Sequence, residues 1–262
     1  MGEPKLLARA GDLEVRLALG LHEIEAAQAL RYRVFFEEGG AAADAASHRA
    51  RRDICRFDEV CDHVLAFDQR SGEVVGAYRL LRREVAERHF GFYSAAEFAV
   101  GELIARHPGL NFMELGRSCV AEGYRSKRTL EALWRGVWAY ALAHRVDVMF
   151  GCASFPGADP GQHGPALAAL AIQCAAEPEW RVSPSPRARV VAAPCAAPHD
   201  LKQVLRALPP LVKGYLRLGA RFGAEAVFDE AFAATDVFVV LRVADIEARY
   251  LQHFAPVAPI AA

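Results

Sequence analysis

The stretch from Phe112 to Ala153 constrains this chain more than any other. Phe112 to Val120 is a mostly apolar run of strand length, and Ala121 to Thr129 is polar. Leu130 to His144 then places Leu130, Leu133, Trp134, Val137, Trp138 and Ala141 on one helical face. Asp147 to Ala153 is again continuously apolar, as a buried strand would be. A strand, a polar loop, an amphipathic helix and a second strand make a βαβ crossover. Ligands of such units gather at the carboxyl ends of the strands.

The flanking sequence adds hairpins to that crossover. Asp12 to Leu19 alternates as a strand, and His22 to Glu38 has helical spacing until Gly39-Gly40 stops it. Ala41 to Arg52 fits a loop or a short helix equally, and Tyr93 to Leu103 shows no decisive period. Asp62 to Asp68 and Glu73 to Leu81 form a hairpin with Arg70-Ser71-Gly72 at its turn. Asp159-Pro160 has cap chemistry for a helix continuing from Pro165 to Ala176. Ser183 to Pro198 is rich in Pro and Ala and is expected to cross a surface. Leu201 to Phe222 is helical with an interruption at Pro209-Pro210; Asp236 to Val243 is a last strand and Asp245 to Phe254 a last helix. Strands joined by both hairpins and helices predict an α/β fold with a mixed sheet flanked by helices, not a purely parallel one.

Composition narrows the functional classes. The 262 residues suit one large domain, or a domain with an extension. A content of 53% hydrophobic and 24% charged residues is that of an ordinary globular chain, and a net charge of −1 argues against a nucleic-acid partner. The six cysteines make no CxxC pair and no zinc-type Cys/His spacing, so neither a metal site nor a disulfide framework is expected. Met1 to Asp12 lacks the apolar core of a signal peptide, and no run of 18 uncharged apolar residues occurs. These features predict a cytoplasmic protein, with a peripheral position at a membrane face left open.

Four constellations have functional chemistry. Arg125, Ser126, Lys127, Arg128 and Thr129 precede a helix, where free N–H groups and cations suit a phosphate; the same residues also suit a solvated turn with Ser126 or Thr129 as cap. Glu114 and Arg117 lie on the preceding strand, where a bulge near Gly116 would turn both to one cleft; a structural ion pair is the alternative. Asp53, Asp58 and Asp62 crowd the entry to the first hairpin, fitting either a cationic substrate or turn chemistry. His63 and His163 could act as bases, although no GxSxG nucleophile is present to partner them. Lys213, Arg217 and Arg221 recur every four residues opposite Leu211, Val212, Tyr215, Leu218 and Phe222, as on a lipid-surface helix or an ordinary solvated one.

Several blocks together carry a resemblance. They are Leu30-Arg31-Tyr32-Arg33-Val34-Phe35, Phe57-Asp58, Cys61-Asp62-His63, Tyr78-Arg79-Leu80-Leu81, Met113-Glu114-Leu115-Gly116-Arg117-Ser118 and Cys152-Ala153-Ser154-Phe155. The most specific runs from Leu208-Pro209-Pro210 through Lys213-Gly214-Tyr215 to Leu218-Gly219-Ala220. Over nearly its whole length the chain resembles the ornithine–acyl carrier protein N-acyltransferase family, which is related to acyl-homoserine-lactone synthases. The resemblance implies a GNAT-like fold, with residues 1–180 as the acyltransferase core and residues 181–262 completing the same domain through a Pro/Ala-rich connection, C-terminal helices and a strand. It implies transfer of a (3-hydroxy)fatty acyl group from acyl carrier protein to the α-amine of L-ornithine, giving lyso-ornithine lipid.

The resemblance also implies a site made of Arg33, Asp53, Asp58, Arg79, Glu114 and Arg117. Glu114 would take the amine proton directly or through water. Arg79 or Arg117 would hold the ornithine carboxylate, and Asp58 or Asp62 its distant ammonium. The donor would be the 4′-phosphopantetheine arm of acyl carrier protein, with no permanently bound cofactor. Two departures bear on this. Coenzyme-A-dependent GNAT enzymes carry a Gly-rich pyrophosphate loop, whereas here only Gly123 precedes the cations. Glu37-Glu38-Gly39 replaces the aromatic residue of the lactone synthases, whose fold leaves residues 200–254 unexplained. Two rival readings are a lactone synthase using S-adenosylmethionine and a non-catalytic lipid-surface protein.

Overall fold

A computed structural model describes residues 6–191, 204, 206 and 208–254. The expectations for Leu201 to Ala207, and for Pro198 at the end of the Pro/Ala-rich stretch, fall wholly or mainly outside these residues. The described chain forms strands β1 (Leu6–Ala10), β2 (Leu13–Leu17), β3 (Asp62–Asp68), β4 (Val74–Arg82), β5 (Phe112–Val120), β6 (Val148–Pro156), β7 (Val190–Val191), β8 (Arg221–Asp229) and β9 (Ala234–Arg242). Helices are α1 (Leu21–Tyr32), α2 (Ala45–Ala50), α3 (Arg83–Ala86), α4 (Val100–Arg106), α5 (Lys127–Ala143), α6 (Gly164–Gln173), α7 (Pro210–Arg217) and α8 (Ala248–His253). The strands follow the order β1-β2-β3-β4-β5-β6-β9-β8-β7, a mixed sheet flanked by helices as expected. The chain divides into two compact units that share β5: Met1–His89, Leu115–Val146 and Ala248–Ala262 form one, and Phe90–Glu114 with Asp147–Glu247 the other.

In the first unit, β1 to β4 form an antiparallel meander. The hairpin turn falls where Arg70-Ser71-Gly72 placed it: Gly72 donates to the Asp68 carbonyl at 2.7 Å and has φ +73°, which glycine adopts without strain. Alternation along the strands feeds two helices. Leu65 and Ala77 join Ala27 and Leu30 of α1 in one cluster. Val15, Val64 and Gly76 meet α5, whose Gly136 admits the sheet so closely that a Cβ there would lie 2.5 Å from Val15. The strand β1 was not anticipated, and the expected strand from Asp12 is the second arm of its hairpin. Ala45–Ala50 resolves as helix because the Asp44 side chain accepts from Ala46 N and Ser47 N, both at 2.8 Å.

In the second unit, Phe112–Glu114 pairs parallel with Val148–Phe150, as the crossover required. β6 then pairs antiparallel with β9 along its whole length, and β9 with β8. Tyr93–Ala96 is a single 3-10 turn followed by α4, which settles the segment that had no decisive period. The C-terminal helix requires correction: α7 ends at Arg217, Gly219 has φ +91°, and Arg221 and Phe222 begin β8. Glycine just past a helix end in a left-handed conformation is a stop signal.

Candidate active site

The site grows from one face of α1. Ala27, Leu30 and Val34 recur at helical spacing, and Arg31, four residues after Ala27, is carried onto the same buried face. Its side chain is 1% exposed. Its Nε donates to Asp53 Oδ2 at 2.8 Å, and its Nη2 to Asp58 Oδ2 at 2.7 Å and the Asp53 carbonyl at 2.6 Å. Asp53 also accepts from Arg117 Nε of β5 at 3.1 Å, and Asp58 from Arg79 Nη1 of β4 at 3.2 Å and Gln28 Nε2 at 2.9 Å. Arg31 of α1 thus bridges two buried carboxylates, each of which also takes a second guanidinium, Arg117 of β5 for Asp53 and Arg79 of β4 for Asp58.

Burial by itself would raise the pKa of Asp58. The charge and hydrogen bond of Arg31, the charge of Arg79 and the amide of Gln28 outweigh it and hold the carboxyl down at about 2. His63 moves the other way: desolvation lowers its pKa, while its Nε2 contacts the Asp58 carbonyl at 3.1 Å. A buried imidazole with a lowered pKa is neutral at pH 7, so its Nε2–H is the donor to that carbonyl.

The structure rearranges several expected residues. Arg33 is exposed, starts the π-helical turn Arg33–Glu38, and lines a cavity of about 580 Å³ with Glu14, Glu23, Asp68 and Glu73. The arginine that meets Asp53 and Asp58 is Arg31. Asp62 lies in a different group: it accepts a hydrogen bond from Tyr140 Oη and sits 3.8 Å from Arg82. Burial, and then the charge of Asp62, raise the Tyr140 pKa. His163 contacts the Pro156 carbonyl at 3.1 Å, and its ring lies 5.4 Å from that of Phe155.

Glu114 and Arg117 sit three residues apart on β5 and take different partners. Arg117 has φ +50°, a left-handed backbone that breaks the strand's alternation near Gly116 and carries its guanidinium to Asp53. Glu114 is 4% exposed and accepts from Tyr93 N at 2.8 Å, Ser94 N at 2.7 Å and the Ser94 hydroxyl. Three of roughly four carboxylate lone-pair positions are therefore taken within the 3-10 turn.

The loop between β5 and α5 divides in two. Ser126 caps α5, accepting from Thr129 N at 3.2 Å, and its Oγ lies 3.0 Å from that of buried Thr129. Those hydroxyls do cap chemistry. Arg125 pairs with Glu38, and Arg128 Nε donates to the Ala10 carbonyl at 3.1 Å. Lys127 extends into solvent at 83% exposure, 3.6 Å from Glu131. The basic stripe Lys213, Arg217, Arg221 does not form a helical face: the first two belong to α7, and Arg221 opens β8.

Comparison with known proteins bears directly on this arrangement. Residues 30–135 match the profile of the acetyltransferase (GNAT) domain. The chain is 51% identical to an L-ornithine N(alpha)-acyltransferase of Rhizobium meliloti over 95% of its own length and 86% of the relative's. It is 50% identical to the enzyme of the same name from Agrobacterium fabrum, over 95% and 87% of the two chains. The chain belongs to the L-ornithine N(alpha)-acyltransferase family. It is an N-acyltransferase acting on ornithine. Among solved structures it is similar to FeeM, an N-acyl amino acid synthase from uncultured soil microbes, with 16% identity, a TM-score of 0.46, and coverage of 88% and 91% of the two chains.

The GNAT match encloses the whole acid–guanidinium network and the loop before α5. For this acyltransferase the residue missed from sequence was Arg31, with Gln28 beside it. The signal was present: Arg31 shares the Ala27–Leu30–Val34 face, whereas Arg33 falls two residues off it. No helix among the described residues is long and apolar enough to cross a membrane.

Proposed function

We propose that this enzyme takes a (3-hydroxy)fatty acyl group from acyl carrier protein and delivers it to the α-amine of L-ornithine in the cytoplasm, giving lyso-ornithine lipid. The donor enters on its 4′-phosphopantetheine arm, and no other cofactor is held. The observation that carries the donor assignment is the loop before α5: it has Gly123 alone for close backbone approach, yet Arg125, Lys127 and Arg128 are all exposed at the helix start. A pyrophosphate needs several glycines to be wrapped, whereas one phosphodiester is served by cations and the first N–H groups of a helix. Exposed cations also suit an acidic carrier surface.

The chemistry is a direct transfer. The neutral α-amine attacks the thioester carbonyl, the C–N bond forms, the C–S bond breaks, the amine gives up a proton, and the pantetheine sulfur leaves as a thiol. Because the thioester is already activated, orientation and a proton acceptor suffice. Arg117 is 12% exposed against 3% for Arg79. We therefore assign the ornithine carboxylate to Arg117, held by Asp53, and a buried positioning role to Arg79. Asp62 faces Tyr140 of α5, on the other side of the sheet from Arg117, so the distant ammonium is assigned to Asp58, which lies with Arg31 and Arg79 on the α1 side. Glu114 receives the amine proton through water.

Steady-state kinetics with both donor types test this reading. Since Arg125 is tied to Glu38, the informative charge reversal is Lys127→Glu, combined with Arg128→Ala. The double variant should raise KM for acyl carrier protein well above any change in KM for ornithine. Wild-type association should weaken with salt, because exposed charges are screened over about 10 Å at 0.1 M ionic strength. Acyl-coenzyme A proving the better donor, with carrier-protein kinetics unchanged in the variant, would overturn the donor assignment.

A further inference from the structure

The 3-10 turn that holds Glu114 ends on a second acid. Glu97 N donates to the Ser94 carbonyl at 3.0 Å, so Glu97 belongs to the same turn as the Tyr93 and Ser94 donors. Its carboxyl group points to β6 and β9. Cys152 Sγ donates to Glu97 Oε2 at 3.2 Å, and one ligand atom each of Glu97, Cys152 and Asp236 lies within 4.8 Å of the others. Asp236 is 5% exposed. Next along the chain, Phe98 is fully buried with its ring 5.5 Å from that of Phe238, so turn and β9 are packed together beside the acids. The groups facing this point from each element are Cys152 on β6, Asp236 on β9, Asp229 at the end of β8, and Glu114 on β5, which acts on the Cys152 thiol. All are acids or thiols.

Two carboxyl groups within 4.8 Å of one another in such a setting cannot both be ionised without repelling one another; one proton shared between them turns repulsion into a bond. We propose that Glu97 and Asp236 share one proton, and that this proton positions Glu114 by keeping the Tyr93–Ala96 turn seated against β9. When it leaves, two adjacent buried carboxylates push apart. The turn then carries its donors, Tyr93 N, Ser94 N and the Ser94 hydroxyl, away from the Glu114 carboxylate. Glu97 and Asp236 are thus positioning residues acting through Glu114, and the inference rests on the proposed role of Glu114. The charge environment agrees in direction: burial first, then the charge of Asp236, push Glu97 up to about 8, and burial followed by Glu97 raises the Cys152 thiol.

The sign of the coupling to stability follows. A carboxyl whose pKa is raised on folding stabilises the native state while protonated, and that contribution is lost as pH rises from the unfolded value of 4.5 to about 8. Glu97→Gln carries the neutral form permanently. It should therefore lose less thermal stability than wild type between about pH 5 and about pH 9.

The test uses the full chain and two independent readouts. Infrared difference spectra between about pH 6 and about pH 10 should show a protonated carboxyl band that disappears at alkaline pH in wild type and is missing from Glu97→Gln and Asp236→Asn. The kcat profile with ornithine should fall on its alkaline side in wild type and in Glu97→Asp. In Glu97→Gln that fall should move up by at least about one pH unit, with KM for the acyl donor unchanged. An alkaline fall identical in Glu97→Gln and wild type, or a band that survives both substitutions, overturns the proposal. Wild-type turnover in Glu114→Gln would instead remove the role of Glu114 and with it the coupling, while the infrared band would still report the shared proton.

Discussion

Replacing Asp58 by Asn keeps the shape of the side chain and removes its charge, which makes it the sharpest probe of the network. In wild type the carboxylate takes Arg31 at 2.7 Å, Gln28 at 2.9 Å, Arg79 at 3.2 Å and Cys55 N at 3.2 Å. The Asn side chain turns an NH2 toward one guanidinium; Arg31 keeps the charge of Asp53, whereas Arg79, 3% exposed, loses the charge of Asp58. Removing one partner of a buried ion pair costs about 3–5 kcal/mol. The depressed pKa gives a smaller figure. A fall from 3.8 to about 2 corresponds to about 2.5 kcal/mol, because protonation still leaves one oxygen as an acceptor. The larger figure fits the substitution, and in a chain of this size it lowers Tm by roughly 6–20 °C. Urea denaturation and thermal melting of both proteins at neutral pH measure it. The sign with pH is fixed: the charge of Asp58 stabilises above its unfolded pKa of 3.8, and that contribution fades as pH falls toward about 2. The gap between wild type and variant should narrow over that interval. A neutral-pH difference under about 1 kcal/mol would refute the network as a stability element.

Three further outcomes follow from the same geometry. Glu114→Gln keeps one acceptor oxygen for the Ser94 donors but turns its NH2 toward the Tyr93 N–H, so it should lose about 1–3 kcal/mol of stability and also turnover by about 100-fold or more, the scale of general-base catalysis; near wild-type rates across neutral pH would remove Glu114 from the mechanism. Lysine should be a worse acceptor than ornithine by about 10-fold or more in kcat/KM, because one methylene displaces the ammonium from a fixed carboxylate, and equal values for the two would contradict the two-anchor site. Ser126→Ala should cost about 1 kcal/mol in urea denaturation through loss of the α5 cap, whereas a selective loss of carrier-protein affinity with stability intact would return the hydroxyl to donor binding.

The elements read correctly from sequence were those with one dominant period. Phe112–Val120 and the hairpin from Asp62 were found almost to the residue, because alternation or a continuous apolar run has no helical competitor there. The first two residues of β8 read as helix and the rest of the strand carried no assignment, for a physical reason. Its pairing with β9 shifts register between Phe222 and Ala226, so its buried residues do not alternate, and Gly223 and Ala224 supply little β-propensity. Gly219 was the available stop signal. Within the site, Asp53 and Asp58 were legible among the three acids crowding the hairpin entry, and the resemblance put the early arginine of the site at Arg33. Helical phase carries Arg31, not Arg33, to those acids. Asp62 looked equivalent to Asp58 in sequence, and only the fold separates a residue bridging arginines from one meeting Tyr140. The Glu97–Asp236 contact joins residues 139 apart in the chain and leaves no local pattern to read.

The backbone at Arg117 shows how the network and the strand depend on one another. A left-handed φ on a residue with a Cβ costs about 1–2 kcal/mol, and glycine, which pays little there, sits one position earlier at Gly116. A strand that merely needed to bend would place its glycine at the left-handed residue. Here the left-handed residue carries the guanidinium. The strain is sustained because the bond from Arg117 Nε to Asp53 is charge-assisted and made at low exposure, where such bonds are strongest. A Cβ at Gly116 would stand 4.0 Å from the Nε and Nη2 of Arg79, an ordinary contact distance, so packing alone does not demand glycine there. In the Glu-Leu-Gly-Arg segment it is therefore the arginine that carries the special backbone, and that backbone takes its guanidinium to Asp53.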